Sequence, residues 1–501
     1  MTMKLRHLLD DVKEYDLSGD LELEITGLAY DSREVQPGYL FVAVRGHALD
    51  GHNFIRNALE RGATALVVEE VQGVEATVAT ICVKDSRKAL AKMASRFFGH
   101  PYKDVLMIGI TGTNGKTTIS YLLESVLSAA GRRPGVIGTI NYRIAGEIEP
   151  APVTTPESLD LMRQLRRMAD RGATDVIMEV SSHALDQGRT GDCAFEAGIF
   201  TNLTRDHLDY HGNMGAYFNA KSRLFRALER GASAIINLDD PYGRSLCDLT
   251  DARVITYGLG EDARVRARIL SADSKGLKVE LKTPEAVREI RSSLFGEVNV
   301  YNILASAAAA LALGLDLETV SRGIEALKVV PGRLEGVEND RGLTVIVDYA
   351  HTPDALLKAM KTLRPLTEGR LITVFGCGGD RDRGKRYDMG LAAGTESDLV
   401  IVTSDNPRSE DPSSIMAEIE KGVLESGMSR RNGDAGMPFD GTGYLMEPDR
   451  RTAIRKAFQT AADSDLILIA GKGHEDYQIV AGKKRHFDDR EEAALAAAGG
   501  I

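Results

Sequence analysis

Short apolar runs alternate with polar, glycine-bearing loops along most of this chain, and several intervening stretches repeat apolar residues at helical spacing. Val105 to Ile110 reads as a buried strand and Ile119 to Ala130 as the helix after it. Tyr39 to Val44, Ala65 to Val68, Val176 to Val180, Ala197 to Thr201 and Ser233 to Asn237 read as further strands. Ile55 to Glu60 reads as helical, and the alanine-rich stretch Ile303 to Leu313 as a buried helix. Farther on, Val345 to Val347, Leu371 to Phe375, Leu399 to Val402 and Leu466 to Ile469 recur with helical patterns between them, which predicts a parallel doubly wound sheet. Gly427 to Gly443 is polar and glycine-rich and reads as an exposed loop.

The fold class expected is α/β. A chain of 501 residues is too long for one core, and no repeat of 20–50 residues divides it. Pro101 to Asp104 reads as a linker and Pro331-Gly332-Arg333 as a second boundary. Three units are therefore expected: a small N-terminal α/β unit (1–98), a central unit built around the Val105 strand (99–332) and a C-terminal doubly wound unit (333–501).

Hydrophobic content of 43% and charged content of 27% are ordinary for a globular protein. A formal net charge of -11 argues against a nucleic-acid partner. Cys82, Cys193, Cys247 and Cys377 are far apart and form no CxxC, as expected in a reducing compartment. The charged N-terminus lacks a signal-peptide core, and no apolar run approaches the ~20 residues that span a membrane. The expectation is a cytoplasmic protein without membrane insertion.

The chemistry starts at Gly112-Thr113-Asn114-Gly115-Lys116-Thr117-Thr118. Strand, glycine loop, lysine, hydroxyl and helix is the order that holds a nucleotide triphosphate: backbone N–H groups and the helix N-terminus face the phosphates. Lys116 can reach the β- and γ-phosphates, and the Thr117 hydroxyl can ligate Mg²⁺. The general P-loop pattern places a glycine where this chain has Ile110; Gly109 is one position early. Glu179 ends a predicted strand, as a Mg²⁺ ligand or a solvated strand-end carboxylate would. His207 and His211, four apart, could share a helix face, but the HExxH order of a zinc site is absent. By itself Lys221 reads as a plain helix lysine. Each C-terminal apolar run ends in a polar cluster: Asp348 to His351, Gly376 to Arg381, Ser404 to Arg408 and Gly471 to Glu475. Ligands of such sheets bind outside the carboxyl ends of the strands.

GTNGKTT, Met178-Glu179-Val180-Ser181-Ser182-His183, the TNLTRDHLDYHG string from Asn202 and Ala220-Lys221 together resemble the Mur ligase family, ATP-dependent amide-forming enzymes of peptidoglycan precursor synthesis. Asp31-Ser32-Arg33, Gly46-His47, Thr154-Thr155-Pro156 and the terminal GKGHE point within it to the addition of the third amino acid to UDP-N-acetylmuramoyl-L-alanyl-D-glutamate. The resemblance implies an N-carboxylated lysine at Lys221, and metal-associated roles for Thr117, Glu179 and His207. It implies nucleotide contacts at the loop residues Gly112 to Thr118 and at Asn299, Arg333 and Asp348. It places Tyr30, Ser32, His47, Ala48 and Leu49 at the uridine end of the substrate, and Thr154, Thr155, Ser181, Gln187 and Arg189 at the sugar-peptide end. A monomer is expected.

Asp405-Asn406-Pro407-Arg408 resembles the family's diaminopimelate signature. Arg408 can clamp the distal carboxylate that lysine lacks, while Asp405 and Glu475 take up the distal ammonium. Arg381 and Gly471 match further contacts to this amino acid. Arg386-Tyr387-Asp388-Met389 lacks the proline that many relatives carry after the arginine, which leaves the local loop open. The alternatives are a lysine-adding counterpart, a folylpolyglutamate-type ligase, a P-loop switch that turns over ATP without a co-substrate, and an inactive nucleotide-binding scaffold.

Overall fold

A computed structural model describes residues 2–46, 49–71, 78–273, 276–431 and 441–499. The N-terminal segment forms a sheet in the order Asp16–Ser18, Ala79–Cys82, Ala65–Val68, Tyr39–Val42, Gly27–Ala29, parallel except for its first pair. Helix Ser86–Phe97 starts where Asp85 accepts a hydrogen bond from the Lys88 N–H. It buries Leu90, Met93, Ala94 and Phe97.

The central sheet forms around β1 (Leu106–Thr111), which is followed by α1 (Lys116–Ala129). β1 lies parallel between β2 (Asp175–Glu179) and β3 (Ala197–Phe200). α2 (Met214–Arg226) and α3 (Glu297–Ala312) complete the surroundings of the β1–α1 loop. Among the described residues this sheet has eleven strands. Antiparallel strands flank both sides of its parallel centre, extending it beyond the elements predicted from the sequence. The small side chains of α3 let it lie close to the sheet, and Ala305 and Ala307 to Ala310 are wholly buried. Gly109 serves packing, since a Cβ there would sit 3.0 Å from the Phe195 ring.

The C-terminal sheet orders Glu335–Gly336, β4 (Thr344–Asp348), β7 (Leu466–Ala470), β5 (Leu371–Phe375), β6 (Leu399–Thr403) and Gly443–Glu447. All pairings except the first are parallel, so four strands deliver their polar clusters to one edge. Separate apolar clusters cover its two faces. Part of the exposed loop expected over Gly427 to Gly443, residues 432–440, lies outside the described residues.

One expectation is corrected. Pro101 to Asp104 is not a free linker: Pro101–Lys103 forms a 3₁₀ turn with Pro101 buried. A single apolar cluster runs from Leu5 to Ala252 through both the N-terminal sheet and one face of the central sheet. The connection is short because the two bodies share a core. Among the described residues, no helix is long and apolar enough to cross a membrane, and the four cysteines are free.

Beneath β7, Arg450 and Asp489 form a buried bidentate pair, with Nε to Oδ1 and Nη2 to Oδ2 both 2.7 Å. Arg450 also donates to the carbonyl of Ala470, fixing the strand end that leads into Gly471. Asp489→Ala should therefore strand a buried guanidinium and destabilise the fold by about 3–5 kcal/mol. Urea titration followed by far-UV circular dichroism reads this as a lower midpoint; an unchanged midpoint would refute it. Tryptophan fluorescence is no use, since the chain has none.

Candidate functional site

The β1–α1 loop is squeezed between the end of β3 and α3. Gly112 (φ +144°) faces Thr201 so closely that a Cβ there would overlap its Oγ1. Gly115 (φ +91°) faces Asn302, whose Oδ1 would lie 2.5 Å from a Cβ. Only glycine meets both the backbone and the space. Thr201 and Asn202 anchor the loop: the Thr201 hydroxyl donates to the Asn114 carbonyl (2.6 Å) and the Asn114 N–H donates to Asn202 Oδ1 (3.0 Å). Lys116 is curled back, donating to the carbonyls of Gly112 and Thr113 (2.9 Å each). Thr118 is buried. Across the loop, Asn299 accepts from Asn302 (2.9 Å) and donates to the Phe295 carbonyl (2.7 Å).

The C-terminal unit reaches the same place. Arg333 stacks on the Tyr349 ring and donates to Thr117 Oγ1 (3.2 Å). Asp348 accepts from the N–H groups of Leu334 and Ala350, and burial pushes its carboxyl up. Arg333 thus reaches the start of α1 from the C-terminal unit, with Asp348 held at the adjoining strand end.

Glu179 is a hub. Its carboxylate accepts from the Thr117 hydroxyl (3.0 Å), the Thr139 hydroxyl (2.9 Å) and the Thr139 N–H (3.0 Å). Its carbonyl accepts from the Thr155 hydroxyl (2.8 Å), which in turn accepts from the Ser181 N–H. The Thr139 and Thr154 hydroxyls are 3.2 Å apart. Thr139 is a residue the sequence reading missed; a lone threonine after an apolar strand gives no signal. Thr117, Thr139 and Glu179 offer oxygen donors suited to a hard divalent cation that keeps several waters.

Lys221 is buried and donates to the Gly112 carbonyl (2.8 Å), with Tyr217 beside it. Burial, then the nearby Lys116, drives its pKa well below that of an ordinary lysine, which favours the neutral amine. His207 corrects an expectation. It does not share a helix face with His211, because its left-handed backbone (φ +54°) makes it the cap of the one-turn helix Leu208–His211. Burial lowers its pKa to about 4. His211 lies within hydrogen-bond distance of Ser182 Oγ (3.0 Å) instead.

At the other end, Tyr30 of the N-terminal unit donates to Asp160 (2.6 Å), and Ser32 is buried beneath the Asp31 cap. Leu49 is exposed; His47 and Ala48 lie outside the described residues. Arg189 donates to Gln187 Oε1 (2.7 Å) and to the Thr155 carbonyl (2.9 Å). Ser181 caps helix Ser182–Asp186. Gln187, Asp186 and Arg223 share a cavity of about 530 Å³ with Arg45, Glu69 and Arg87 of the N-terminal unit.

Arg408 adopts a left-handed backbone (φ +53°), held by its N–H donating to the Ile479 carbonyl (3.0 Å). Its Nη1 donates to the Gly379 carbonyl (2.7 Å). Pro407 is buried beside it and Arg381 is exposed. Gly471 (φ +115°) passes Asp405, whose Oδ2 would be 3.6 Å from a Cβ. Asp405 and Glu475 are not a free acidic pair, because fully buried Lys472 lies between them, 3.2 Å from Asp405 and 3.6 Å from Glu475. Burial raises the Asp405 carboxyl, but Lys472 and Arg450 outweigh it and hold it below the usual range; burial and Asp405 push Glu475 up. Lys472, missed by the sequence reading, stood in plain view inside GKGHE. In the Arg386-Tyr387 segment, helix Gly384–Glu396 forms without the proline, with Arg386 buried against Glu410 and Glu418.

Family profiles match in this order: "Mur ligase family, catalytic domain" over 24–98, "Mur ligase middle domain" over 110–310 and "Mur ligase, glutamate ligase domain" over 332–473. A Geobacter metallireducens protein named UDP-N-acetylmuramoyl-L-alanyl-D-glutamate--2,6-diaminopimelate ligase is 49% identical, covering 99% of this chain and 98% of its own. The chain belongs to the Mur ligase family. A solved structure titled with the same ligase name superposes on this Mur ligase with a TM-score of 0.69 at 34% identity, covering 100% of this chain and 99% of that one. A Mycobacterium tuberculosis folylpolyglutamate synthase shares the fold (TM-score 0.60, 21% identity), covering 75% of this chain and 91% of its own.

The loop geometry gives a test. Gly112→Ala adds a backbone strain and a clash, whereas Gly99→Ala (φ +71°, nothing within 4 Å) adds the strain alone. Calorimetry should show Gly99→Ala costing about 1 kcal/mol and Gly112→Ala at least about 2 kcal/mol more. Equal costs would mean that the loop is not confined against Thr201.

Proposed function

We propose that this Mur ligase joins meso-diaminopimelate to the γ-carboxylate of the D-glutamyl residue of UDP-N-acetylmuramoyl-L-alanyl-D-glutamate, with ATP converted to ADP and phosphate. The observation that carries this is one chain presenting a GTNGKTT loop, a cavity lined by Gln187 and Arg223 and, at the carboxyl edge of the C-terminal sheet, Arg408 beside Gly379, on a full-length Mur ligase scaffold. The reaction belongs to the cytoplasm, and a monomer suffices, since one chain supplies all three regions.

Lys116 leaves the Gly112 and Thr113 carbonyls to pair with the β- and γ-phosphates. Arg333 adds a second cation at Thr117, and Asn299 and Asp348 face the base and ribose. Thr117, Glu179, His207 and a carboxylated Lys221 would hold Mg²⁺, which supplies charge neutralisation on the phosphoryl oxygens. The substrate γ-carboxylate attacks the γ-phosphorus and ADP leaves. The acyl phosphate is then attacked by the incoming amine, which loses a proton, and the tetrahedral intermediate expels phosphate. Thr154, Thr155, Ser181, Gln187 and Arg189 fix the carboxylate end; Tyr30, Ser32 and the segment through Leu49 hold the uridine end. Arg381, Asp405, Asn406, Pro407, Arg408, Gly471 and Glu475 form the amino-acid pocket. Water would hydrolyse the acyl phosphate, so closure of the C-terminal unit over the loop protects it.

The neutral amine of Lys221 is the form that attacks CO₂, forming an N–C bond and releasing a proton. ADP release with the UDP-linked dipeptide, comparing meso-diaminopimelate, L-lysine and a folate substrate, tests the whole assignment. Turnover only with folate, or without any co-substrate, would overturn it.

Lys221→Ala should be nearly inactive and partly restored by bicarbonate or a short carboxylate, because the needed group is the carbamate. Full activity of the alanine variant would remove that role. Arg408→Ala should lower kcat/KM for meso-diaminopimelate by about 100-fold or more while leaving L-lysine the same or slightly better, since a half-buried guanidinium left without its carboxylate loses a charge-assisted pair. An equal fall for both amino acids would mean that Arg408 is not a selector.

A further inference from the structure

The pocket at the carboxyl edge of the C-terminal sheet contains four charges grouped together. Two are negative, Asp405 and Glu475, and two are positive, Lys472 and Arg408. Lys472 is wholly buried, and its ammonium faces Asp405 Oδ1 (3.2 Å), Asn406 Oδ1 (3.3 Å) and Glu475 Oε2 (3.6 Å). Those three oxygens match its three N–H donors. Asn406 is itself pinned, donating to Glu475 (2.8 Å) and accepting from the Ile479 N–H (2.9 Å). Lys472 is therefore a built-in part of the pocket, not a surface cation that leaves when substrate arrives. Of the Arg408 guanidinium, only Nη1 has a protein acceptor among the described residues. Of the other charged neighbours among the described residues, Arg450 is paired with Asp489, and Arg381, beside Arg408, is exposed so that solvent screens its charge.

The inner group of four charges is thus neutral before any ligand enters. An amino acid whose distal carbon bears both an ammonium and a carboxylate adds no net charge. One that ends in a lone ammonium adds a positive charge where both carboxylates already serve Lys472. An uncompensated buried charge is expensive. We propose that Lys472 is a specificity-determining positioning residue that sets the pocket's charge to zero and so rejects lysine independently of Arg408, a role that rests on the assignment above of this pocket to the added amino acid. Arg408 offers the attraction for the distal carboxylate; Lys472 supplies a penalty against its absence.

The test is the ratio of kcat/KM for meso-diaminopimelate to that for L-lysine, with ATP and the UDP-linked dipeptide saturating. Lys472→Met makes the pocket net negative. Its ratio should fall by about 30-fold or more, with the KM for L-lysine dropping. Glu475→Gln makes the pocket net positive and should raise the ratio, even though it weakens use of meso-diaminopimelate. The double variant Lys472→Met/Glu475→Gln is neutral again, and its ratio should return toward that of the wild type. A purely structural lysine would depress both substrates alike and show no recovery in the double variant. Should Lys472→Met fail to fold by circular dichroism, the opposite shift in Glu475→Gln and the return in the double variant decide the matter. Ratios that ignore pocket charge in all three variants overturn the role of Lys472 alone. A wild-type enzyme that does not turn over meso-diaminopimelate overturns the pocket assignment, and this role with it.

Discussion

The carboxylate of Glu179 is the point on which the rest of the site depends. It ends β2 beside the phosphate-type loop and accepts from Thr117 on α1 and from Thr139 twice, while its carbonyl accepts from Thr155. The loop-side Thr117 and the Thr139–Thr155 side are therefore tied to one buried group. A charged acceptor with several donors is stronger than the same donors paired separately, and it costs heavily if left unsatisfied. The geometry can form only because Gly138 leaves room: a Cβ there would be 2.7 Å from Glu179 Oε1.

Buried charges follow one rule elsewhere and break it once. Arg386, Arg450 and Lys472 are each buried, and each has carboxylate partners. Among the described residues, equally buried Lys221 forms no ion pair and donates to a carbonyl beside the Tyr217 ring. Burial there, with Lys116 nearby, pulls its pKa down and so favours the neutral amine. That exception would suit the carboxylation proposed for this residue.

The joints between units differ in kind. The N-terminal and central sheets share an apolar core, so their mutual placement is stiff and the cavity between them keeps its shape. The C-terminal unit meets the loop region through polar contacts, Arg333 with Thr117, Asn114 with Asp354 and Arg205 with Asp388, and through Phe295 and Val298, which pack on the edge of its apolar cluster. Polar contacts of this sort break and reform at little cost, which would suit the closure proposed above.

By itself the sequence determined the strands that carry the site, the GTNGKTT loop, the order of motifs and the charged strand ends, because buried strands and phosphate-type loops leave short-range patterns of apolar runs and glycines. The antiparallel flanks of the central sheet, the shared core and the part played by Thr139 had no such local trace. His207 shows the limit: four-residue spacing suggested a shared helix face, but a left-handed backbone turned it into a cap. Lys472 shows another, since its charge is legible in GKGHE but its neutralisation of Asp405 and Glu475 is not. Such roles arise from contacts between residues tens or hundreds of positions apart, and only tertiary packing decides which distant oxygen lies within 3 Å of which donor.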